Sequence, residues 1–180
     1  MTTKELKKVG IFCSGKTDMK DEYVSIVSSI LQKIDTEKTA LVYGGGHVGL
    51  MGLIRDVYKG KIISSNLNKF VNNTENIQDD FVFEKISDRQ SKLIDLSDMF
   101  IVFPGGFGTL YECLEVITKN QIGEHFKKII IFNYKGLYNH LYEQFQLLTD
   151  EGFIKNPLYH YNLVFLNEND IDLLLNYINE

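Results

Sequence analysis

The stretch PGGFGTLYE, residues 104 to 112, brings several groups that could bind and act on a ligand within nine positions. It follows the apolar run MFIVF, so we predict that a buried strand ends there and a helix begins. Glycines let the backbone approach a ligand closely, and the Thr109 hydroxyl can cap the helix or donate a hydrogen bond. Because the first turn of a helix offers unpaired N–H groups and a partial positive charge, the stretch favours an anion such as a phosphate.

Glu112 needs a separate explanation, since a carboxylate repels a phosphate. Helical periodicity predicts that Glu112 points away from the buried face of the helix, which carries Leu110, Cys113, Leu114 and Ile117. Two interpretations are open at this point. Glu112 is either a solvated side chain that stabilises the helix dipole or a functional carboxylate beside the glycine-rich approach.

A second glycine-rich stretch, GGGHVGLMG, contains a G-x-G-x-x-G at Gly44, Gly46 and Gly49. In dinucleotide-binding folds the strand after this motif ends in an acidic residue that holds the ribose hydroxyls. Here that strand is predicted to be KIISSN, which ends in serines and asparagine and so argues against NAD. A glycine-lined approach for a phosphate or a sugar is the better interpretation, and a purely structural tight turn is the alternative.

Short β-branched runs alternate with helical patterns along the whole chain. The runs are VGIFCS, TALVYG, KIISSN, MFIVFP, KKIIIFN and NLVFL. Because they are mostly continuously apolar, we expect strands buried on both faces. The pattern predicts an α/β fold, a Rossmann-like doubly wound parallel sheet flanked by helices on both faces, in one domain over residues 1–180. Residues 66 to 80 are predicted to form a long connection, followed by a short strand within FVFEKI.

Charge and composition exclude several classes of function. The 19 Lys and Arg residues are scattered and the net charge is −5, so we expect no nucleic-acid partner. The first residues are too polar for a signal peptide, and no apolar run approaches the roughly 20 residues that span a bilayer, so we expect no membrane partner and a cytoplasmic location. Cys13 and Cys113 belong to no metal-binding pattern, so we expect buried free thiols and no metal site.

Taken together, YGGGHVGLMG, DRQSK and PGGFGTLYE resemble the LOG (Lonely Guy) family of cytokinin riboside 5′-monophosphate phosphoribohydrolases. The family hallmark PGGxGTxxE is matched at every fixed position, by Pro104, Gly105, Gly106, Gly108, Thr109 and Glu112. The resemblance implies a hydrolase that cleaves the N-glycosidic bond of a purine nucleoside 5′-monophosphate. AMP or an N6-modified, cytokinin-type nucleotide would then give free base and ribose 5-phosphate.

The resemblance also implies a catalytic pair, Arg89 and Glu112. It assigns the substrate and its phosphate to Gly44, Gly45, Gly46, Gly105, Gly106, Gly108 and Thr109. No cofactor is implied, and a homodimer or higher homo-oligomer is expected, with the partner chain completing the active site. A carboxylate can stabilise positive charge on the ribose while it orients or deprotonates water. Arg89 can keep Glu112 ionised and aimed, or contact the ribose or the phosphate, and both roles are open.

The chain departs from the family pattern at several positions. Gln90 follows Arg89 where the family usually has lysine, which removes a charge near the expected phosphate. His47 stands where a small residue is usual, and Tyr111 stands where an acid often precedes the glutamate. We expect Gln90 to change substrate affinity or preference, and Lys16 stands where it could compensate.

A second hypothesis is a non-catalytic nucleotide-binding or molybdenum-cofactor carrier protein of the same fold. The presence of both Arg89 and Glu112 argues against it, because a carrier has no need of a catalytic pair. The family is often labelled lysine decarboxylase-like. Decarboxylation is set aside, because no lysine stands in a motif for a Schiff base with pyridoxal phosphate.

Overall fold

A parallel sheet of seven strands forms the centre of the computed structural model, which describes residues 5 to 71 and 79 to 180. The strands are β1 (Lys7–Phe12), β2 (Thr39–Tyr43), β3 (Lys61–Leu67), β4 (Phe81–Phe83), β5 (Met99–Val102), β6 (Lys128–Phe132) and β7 (Leu163–Leu166). Their order across the sheet is β4-β3-β2-β1-β5-β6-β7, and every neighbouring pair is parallel.

Helices cover both faces of this sheet. They are α1 (Asp21–Leu31), α2 (Gly49–Val57), α3 (Ile86–Leu96), α4 (Phe107–Ile122), α5 (Asn139–Asp150), α6 (Pro157–His160) and α7 (Ile171–Asn179). Apolar side chains of α1, α2 and α7 form one core cluster, and those of α3, α4 and α5 form the other. The predicted doubly wound α/β fold is therefore confirmed. In the described ranges, none of the helices combines the length and the apolar character that a membrane span needs.

The alternation of side chains along each strand explains the two cores. In β1, Val9 and Ile11 enter the cluster with α1, α2 and α7, whereas Phe12 enters the cluster on the other face. All three are at most 2% exposed. Successive residues of a strand point to opposite faces, so a strand covered on both sides must be apolar throughout.

The connection between β3 and α3 differs in part from the prediction. A single 3₁₀ turn, Asn68–Phe70, follows β3, and residues 72 to 78 of the predicted connection lie outside the described residues. The predicted short strand in FVFEKI is β4, but it spans only Phe81–Phe83. The last residue of that stretch, Ile86, already begins α3.

The strand order reverses at β1, because the chain proceeds from β1 towards β4 on one side and returns to β5 on the other. Ligands of open α/β sheets bind at the carboxyl ends of the strands at such a switch point. Here the backbone N–H of Phe103 donates to the carbonyl of Phe12 at 2.9 Å, and the N–H of Ser14 donates to the carbonyl of Pro104 at 3.1 Å. These bonds tie the start of PGGFGTLYE to the end of β1.

Tyr138 secures the same segment from the other side. Its buried hydroxyl donates a hydrogen bond to the carbonyl of Phe103 at 2.8 Å. We expect Tyr138→Phe to lower the free energy of unfolding by about 2 kcal/mol, because a buried carbonyl loses its partner. Urea unfolding would measure it. Tyr159→Phe is the control, since Tyr159 is exposed, and an equal loss in both variants would contradict this role.

Candidate active site

The two glycine-rich stretches lie at the carboxyl edge of the sheet, on either side of β1. The turn Gly44–Gly46 follows β2, and the segment from Phe103 to Gly106 follows β5 and leads into α4. Gly106 is the N-cap of α4 and supplies no side-chain cap. The first turn of α4 therefore directs its N–H groups towards this edge without a protein side chain in place.

Arg89 and Glu112 meet at this edge. Nη1 of Arg89 donates a hydrogen bond to Oε1 of Glu112, so an ion pair joins α3 to α4. Each of the two residues is only 9% exposed. Nε of Arg89 also donates to the carbonyl of Ser65 at 2.8 Å, and the Ser65 hydroxyl donates to the carbonyl of Arg89 at 3.2 Å. The structure brings the predicted pair together and excludes a solvated Glu112; the catalytic role of the pair stays a prediction.

The first glycine turn packs against protein atoms. A Cβ atom at Gly44 would collide with Nη2 of Arg89, so only glycine leaves room for the guanidinium. At Gly45, which has φ of +78°, a Cβ atom would lie 2.6 Å from Cβ of Asn66. At Gly46 the nearest atoms belong to the flexible side chain of Met51. Phosphate binding by Gly44, Gly45 and Gly46 stays a prediction.

The second glycine stretch is more open. Gly105 packs against Thr109, whose side chain would collide with a Cβ atom there, and Thr109 is buried. In contrast, a Cβ atom at Gly106 or Gly108 would meet nothing within 4 Å. The described part of the chain thus leaves space for a ligand directly over the first turn of α4. Phosphate binding by these four residues also stays a prediction.

Burial dominates the electrostatics of the pair. It raises the pKa of the Glu112 carboxyl above its ordinary value; Arg89 opposes this rise, and Glu115, one turn further along α4, adds to it. Burial also raises the pKa of the Cys13 thiol, directly after β1, with a further contribution from Glu112. A carboxyl with a raised pKa beside a fixed cation suits a group that accepts a proton during a reaction. The Cys13 thiol stays protonated and is no nucleophile.

The residues that depart from the family pattern have distinct environments. Gln90 is fully buried, and its Oε1 accepts a hydrogen bond from Nη1 of Arg89 at 3.3 Å, so it supports the arginine. Both ring nitrogens of His47 are buried without a hydrogen-bond partner among the described residues. Tyr111 and Lys16 are exposed. The effects expected of Gln90 on the substrate and of Lys16 as its compensation stay predictions.

The polar end of β3 is the part of the site that the motifs do not reveal. Ser64, Ser65 and Asn66 are all buried. Ser65 holds Arg89 through two hydrogen bonds, and Nδ2 of Asn66 donates to the carbonyl of Gly45 at 3.4 Å. Buried polar groups need partners, so three consecutive polar residues at the end of an apolar strand are a signal that could have located this support.

Two further features of the described ranges lie apart from this pair. No group of three or more His, Cys, Asp or Glu side chains there could hold a metal ion. A cavity of about 430 Å³ lies near the amino ends of β6 and β7, where its lining includes Asn120, Lys155, His160 and Tyr161. This cavity is at the edge of the sheet away from Arg89 and Glu112.

Comparison with known proteins establishes the family. A family model described as "Possible lysine decarboxylase" matches residues 14–174. Cytokinin riboside 5′-monophosphate phosphoribohydrolase LOG5 of Arabidopsis thaliana is 33% identical over 161 residues, which cover 86% of this chain and 70% of the relative. LOG7 of the same plant is 34% identical over 159 residues, which cover 85% and 73%.

Solved structures share the fold at lower identity. The molybdenum cofactor carrier protein of Chlamydomonas reinhardtii has a TM-score of 0.67 at 15% identity and covers 97% of this chain and 96% of its own. The molybdenum cofactor binding protein of Rippkaea orientalis has a TM-score of 0.65 at 20% identity, with coverage of 98% and 99%. At these identities the likeness concerns the fold alone.

The fold and the site define a Rossmann-like α/β protein with a glycine-rich edge and a buried arginine–glutamate pair at its switch point. Within that class the sequence matches are specific. The chain belongs to the LOG family, as the sequence motifs predict.

Gly44→Ala tests whether the first turn makes room for Arg89. We expect the added methyl group to displace the guanidinium from Glu112 and to lower the free energy of unfolding by about 1–3 kcal/mol, as overpacking does. A crystal structure of the variant and urea unfolding would measure both effects. Gly46→Ala is the control, because the flexible Met51 side chain can move aside. An unmoved Arg89 in Gly44→Ala would contradict the interpretation.

Proposed function

We propose that this protein hydrolyses the N-glycosidic bond of purine nucleoside 5′-monophosphates to free base and ribose 5-phosphate. The observation that carries the proposal is the buried contact of Arg89 with Glu112 beside the open first turn of α4. The names of the plant relatives, cytokinin riboside 5′-monophosphate phosphoribohydrolases, support the same reaction and favour adenine-type bases. AMP and N6-modified adenine nucleotides are therefore the proposed substrates.

Glu112 is the proposed catalytic carboxylate. As the bond between C1′ and the base nitrogen breaks, its electron pair leaves with the base and positive charge develops on the ribose. A carboxylate in a site shielded from water stabilises that charge strongly. It also takes the proton of the water whose oxygen bonds to C1′, while the leaving base acquires a proton. A base loses activity when it is protonated as the pH falls. Because burial raises the pKa of Glu112, we expect this acidic loss of turnover to occur at a higher pH than it would for an ordinary glutamate.

Arg89 has a supporting role in this scheme. Its Nη1 contacts Oε1 of Glu112, so it favours the ionised carboxylate and fixes the direction in which that group points. The bonds to Ser65 and Gln90 hold the arginine itself. A fixed cation of this kind opposes the effect of burial on the Glu112 pKa and so favours the ionised form, which is the form that acts as a base.

The 5′-phosphate is proposed to bind at Gly105, Gly106, Gly108 and Thr109. The N–H groups and the partial positive charge of a helix N-terminus favour a phosphate there. Gly44, Gly45 and Gly46 are proposed to form the wall of the site on the side of Arg89. The first turn of α4 would then contact the phosphate end of the ribose 5-phosphate, and Glu112 would contact the C1′ end. This separation removes the apparent conflict between Glu112 and an anion.

A homodimer is proposed through the outer face of α4. The apolar residues of this face are exposed: Phe107 by 92%, Tyr111 and Leu114 by 41% each, and Ile122 by 64%. Their spacing places them along one side of the helix, with the exposed Thr118 between Leu114 and Ile122, and several exposed apolar side chains on one face are typical of an interface. The sequence-based prediction that Leu114 is buried in its own chain is wrong. In the proposed dimer, its side chain would be buried against the partner chain. Because Phe107 adjoins Gly106 and Gly108, a partner there would also cover the phosphate site.

We further propose that residues 1–180 act as one domain and that the protein works in the cytoplasm. The two core clusters share one sheet, which supports a single folding unit. Cys13 and Cys113 are free and buried, as is common in a reducing compartment. The proposed partners are a small nucleotide and a second copy of the chain.

Glu112→Gln is expected to reduce base release from AMP by about 10²–10³-fold, because a neutral amide neither stabilises the ribose cation nor accepts a proton. Chromatography of free base and ribose 5-phosphate would measure it, with CMP and isopentenyladenosine monophosphate tested alongside. Glu124→Gln is the control, since it removes only an exposed carboxylate that pairs with Lys119. Equal turnover in Glu112→Gln and wild type would refute the assignment. Binding of AMP without turnover in the wild type would favour the carrier hypothesis.

Leu114→Asp is expected to shift the protein from dimer to monomer in sedimentation velocity, because it places a charge in the proposed apolar interface. Leu173→Asp is the matched control. Leu173 is 44% exposed and lies on α7, on the other face of the sheet. A wild-type protein that sediments as a monomer, or equal behaviour of the two variants, would contradict the proposed interface.

A further inference from the structure

A second ion pair lies behind the glycine turn that adjoins Arg89. Nη2 of Arg55, near the end of α2, contacts Oδ1 of Asp79 at 3.0 Å, and the Asp79 side chain is fully buried. Nε of Arg55 also donates to the hydroxyl of Tyr43, the last residue of β2, and the guanidinium lies over the Tyr43 ring at 5.5 Å from its centre. The pair therefore connects α2, the end of β2 and the segment before β4.

Asn66 links Asp79 to the glycine turn through hydrogen bonds. Its Nδ2 donates to Oδ2 of Asp79 at 2.8 Å and to the carbonyl of Gly45 at 3.4 Å. Its Oδ1 accepts the backbone N–H of Leu67 at 2.8 Å. Because an ionised carboxylate can only accept hydrogen bonds, Asp79 dictates that the NH₂ group of Asn66 faces the turn.

The turn can respond to such support because Gly45 has the left-handed conformation, with φ of +78°. A Cβ atom there would lie 2.7 Å from Oδ1 of Asp79, so the carboxylate packs directly against the backbone of the turn. At the neighbouring Gly44, Nη2 of Arg89 occupies the space that a Cβ atom would need. A shift of the turn towards Arg89 would therefore push the guanidinium away from Glu112.

The energetic cost of the Arg55–Asp79 pair indicates that its role is to position the glycine turn rather than to stabilise the fold. Removing an aspartate from water and partly burying an arginine costs about as much as their attraction returns, so such an ion pair is weak evidence for stability. Exposed ion pairs elsewhere in the described chain, such as Lys135 with Glu22, involve no residue of the site. Within residues 5–71 and 79–180, the pair of Arg55 and Asp79 lies against the same glycine turn as the pair of Arg89 and Glu112.

We propose that Asp79 and Arg55 are positioning residues, which hold the Gly44–Gly45 turn and thereby keep Arg89 in contact with Glu112. They touch neither the proposed substrate nor the reacting atoms.

The groups that face Glu112 are Arg89 from α3, Glu115 and Tyr111 from α4 itself, and the thiols of Cys13 and Cys113. Among these the arginine is the cation, so its displacement would be felt directly at the Glu112 carboxyl.

The test compares the titration of the Glu112 carboxyl in wild type and in Asp79→Asn. Protein labelled with ¹³C at the glutamate carboxyls would be titrated by NMR, and the Glu112 resonance would be identified by its absence in Glu112→Gln. We expect the Glu112 pKa to rise by about one pH unit in Asp79→Asn, because a displaced arginine favours the ionised form less. A change that only lowered stability would leave this pKa where it is.

Asp80→Asn is the matched control. Asp80 is the next residue and also binds β3, with Oδ2 accepting from the N–H and the hydroxyl of Ser64 at 2.8 and 3.0 Å, but it makes no contact with the turn. We expect its Glu112 pKa to equal that of the wild type. Arg55→Lys is the second variant should Asp79→Asn fail to fold; it keeps the charge but loses the fork that reaches both Tyr43 and Asp79.

Kinetics provide an independent measurement, and this part rests on the proposed function. With AMP as substrate, Asp79→Asn should lower kcat about tenfold or more with little change in KM, as misplaced catalytic groups do. The acidic limb of its pH profile should move to higher pH. An unchanged Glu112 pKa in folded Asp79→Asn or Arg55→Lys overturns the inference. A wild type that releases no base contradicts the proposed function, while the NMR titration still decides the role of Asp79.

Discussion

An arginine and a glutamate that leave water together impose the main constraint on this structure. Their attraction offsets the loss of hydration only if the geometry is good and the remaining hydrogen-bonding atoms have partners. Arg89 obtains those partners from the Ser65 carbonyl and the Gln90 side chain, and it obtains space from the missing side chain at Gly44. The polar end of β3 and the glycine turn after β2 are both consequences of burying this pair.

The helix α4 has three different surfaces, and each has a different environment. Cys113, Val116 and Ile117 enter the core against the sheet. Glu112 faces Arg89, and the first turn faces the open space over Gly106 and Gly108. The third surface is apolar and exposed, which is unusual for a helix that covers a sheet. The site and the proposed interface are thus on one rigid element, so pairing of two chains would place a partner beside the phosphate site.

The sequence predicted the layered fold well because continuously apolar strands and periodic helices respond to the same burial on both faces of the sheet. It also indicated the Arg89 and Glu112 pair, although only through the family motif, since helical periodicity alone left Glu112 open to a solvated interpretation. Leu114 was assigned to the core because periodicity does not distinguish an apolar residue that packs on the sheet from one that stays exposed on the helix. The run of polar residues at the end of β3 pointed to a buried polar support, but its partners could not be predicted, since Ser65 bonds to Arg89 and Asn66 bonds to Asp79 across segments distant in sequence.

A crystal structure of Glu112→Gln with AMP bound would test most directly whether the buried pair acts on the N-glycosidic bond. We expect the phosphate on the first turn of α4, over Gly106 and Gly108, and the C1′–N9 bond facing the side chain at position 112. Arg89 should lie behind that side chain, against the Gly44 turn. A nucleotide whose phosphate contacts another part of the protein, or whose C1′ lies far from position 112, would contradict the assignment of this buried pair to the cleavage of nucleotides.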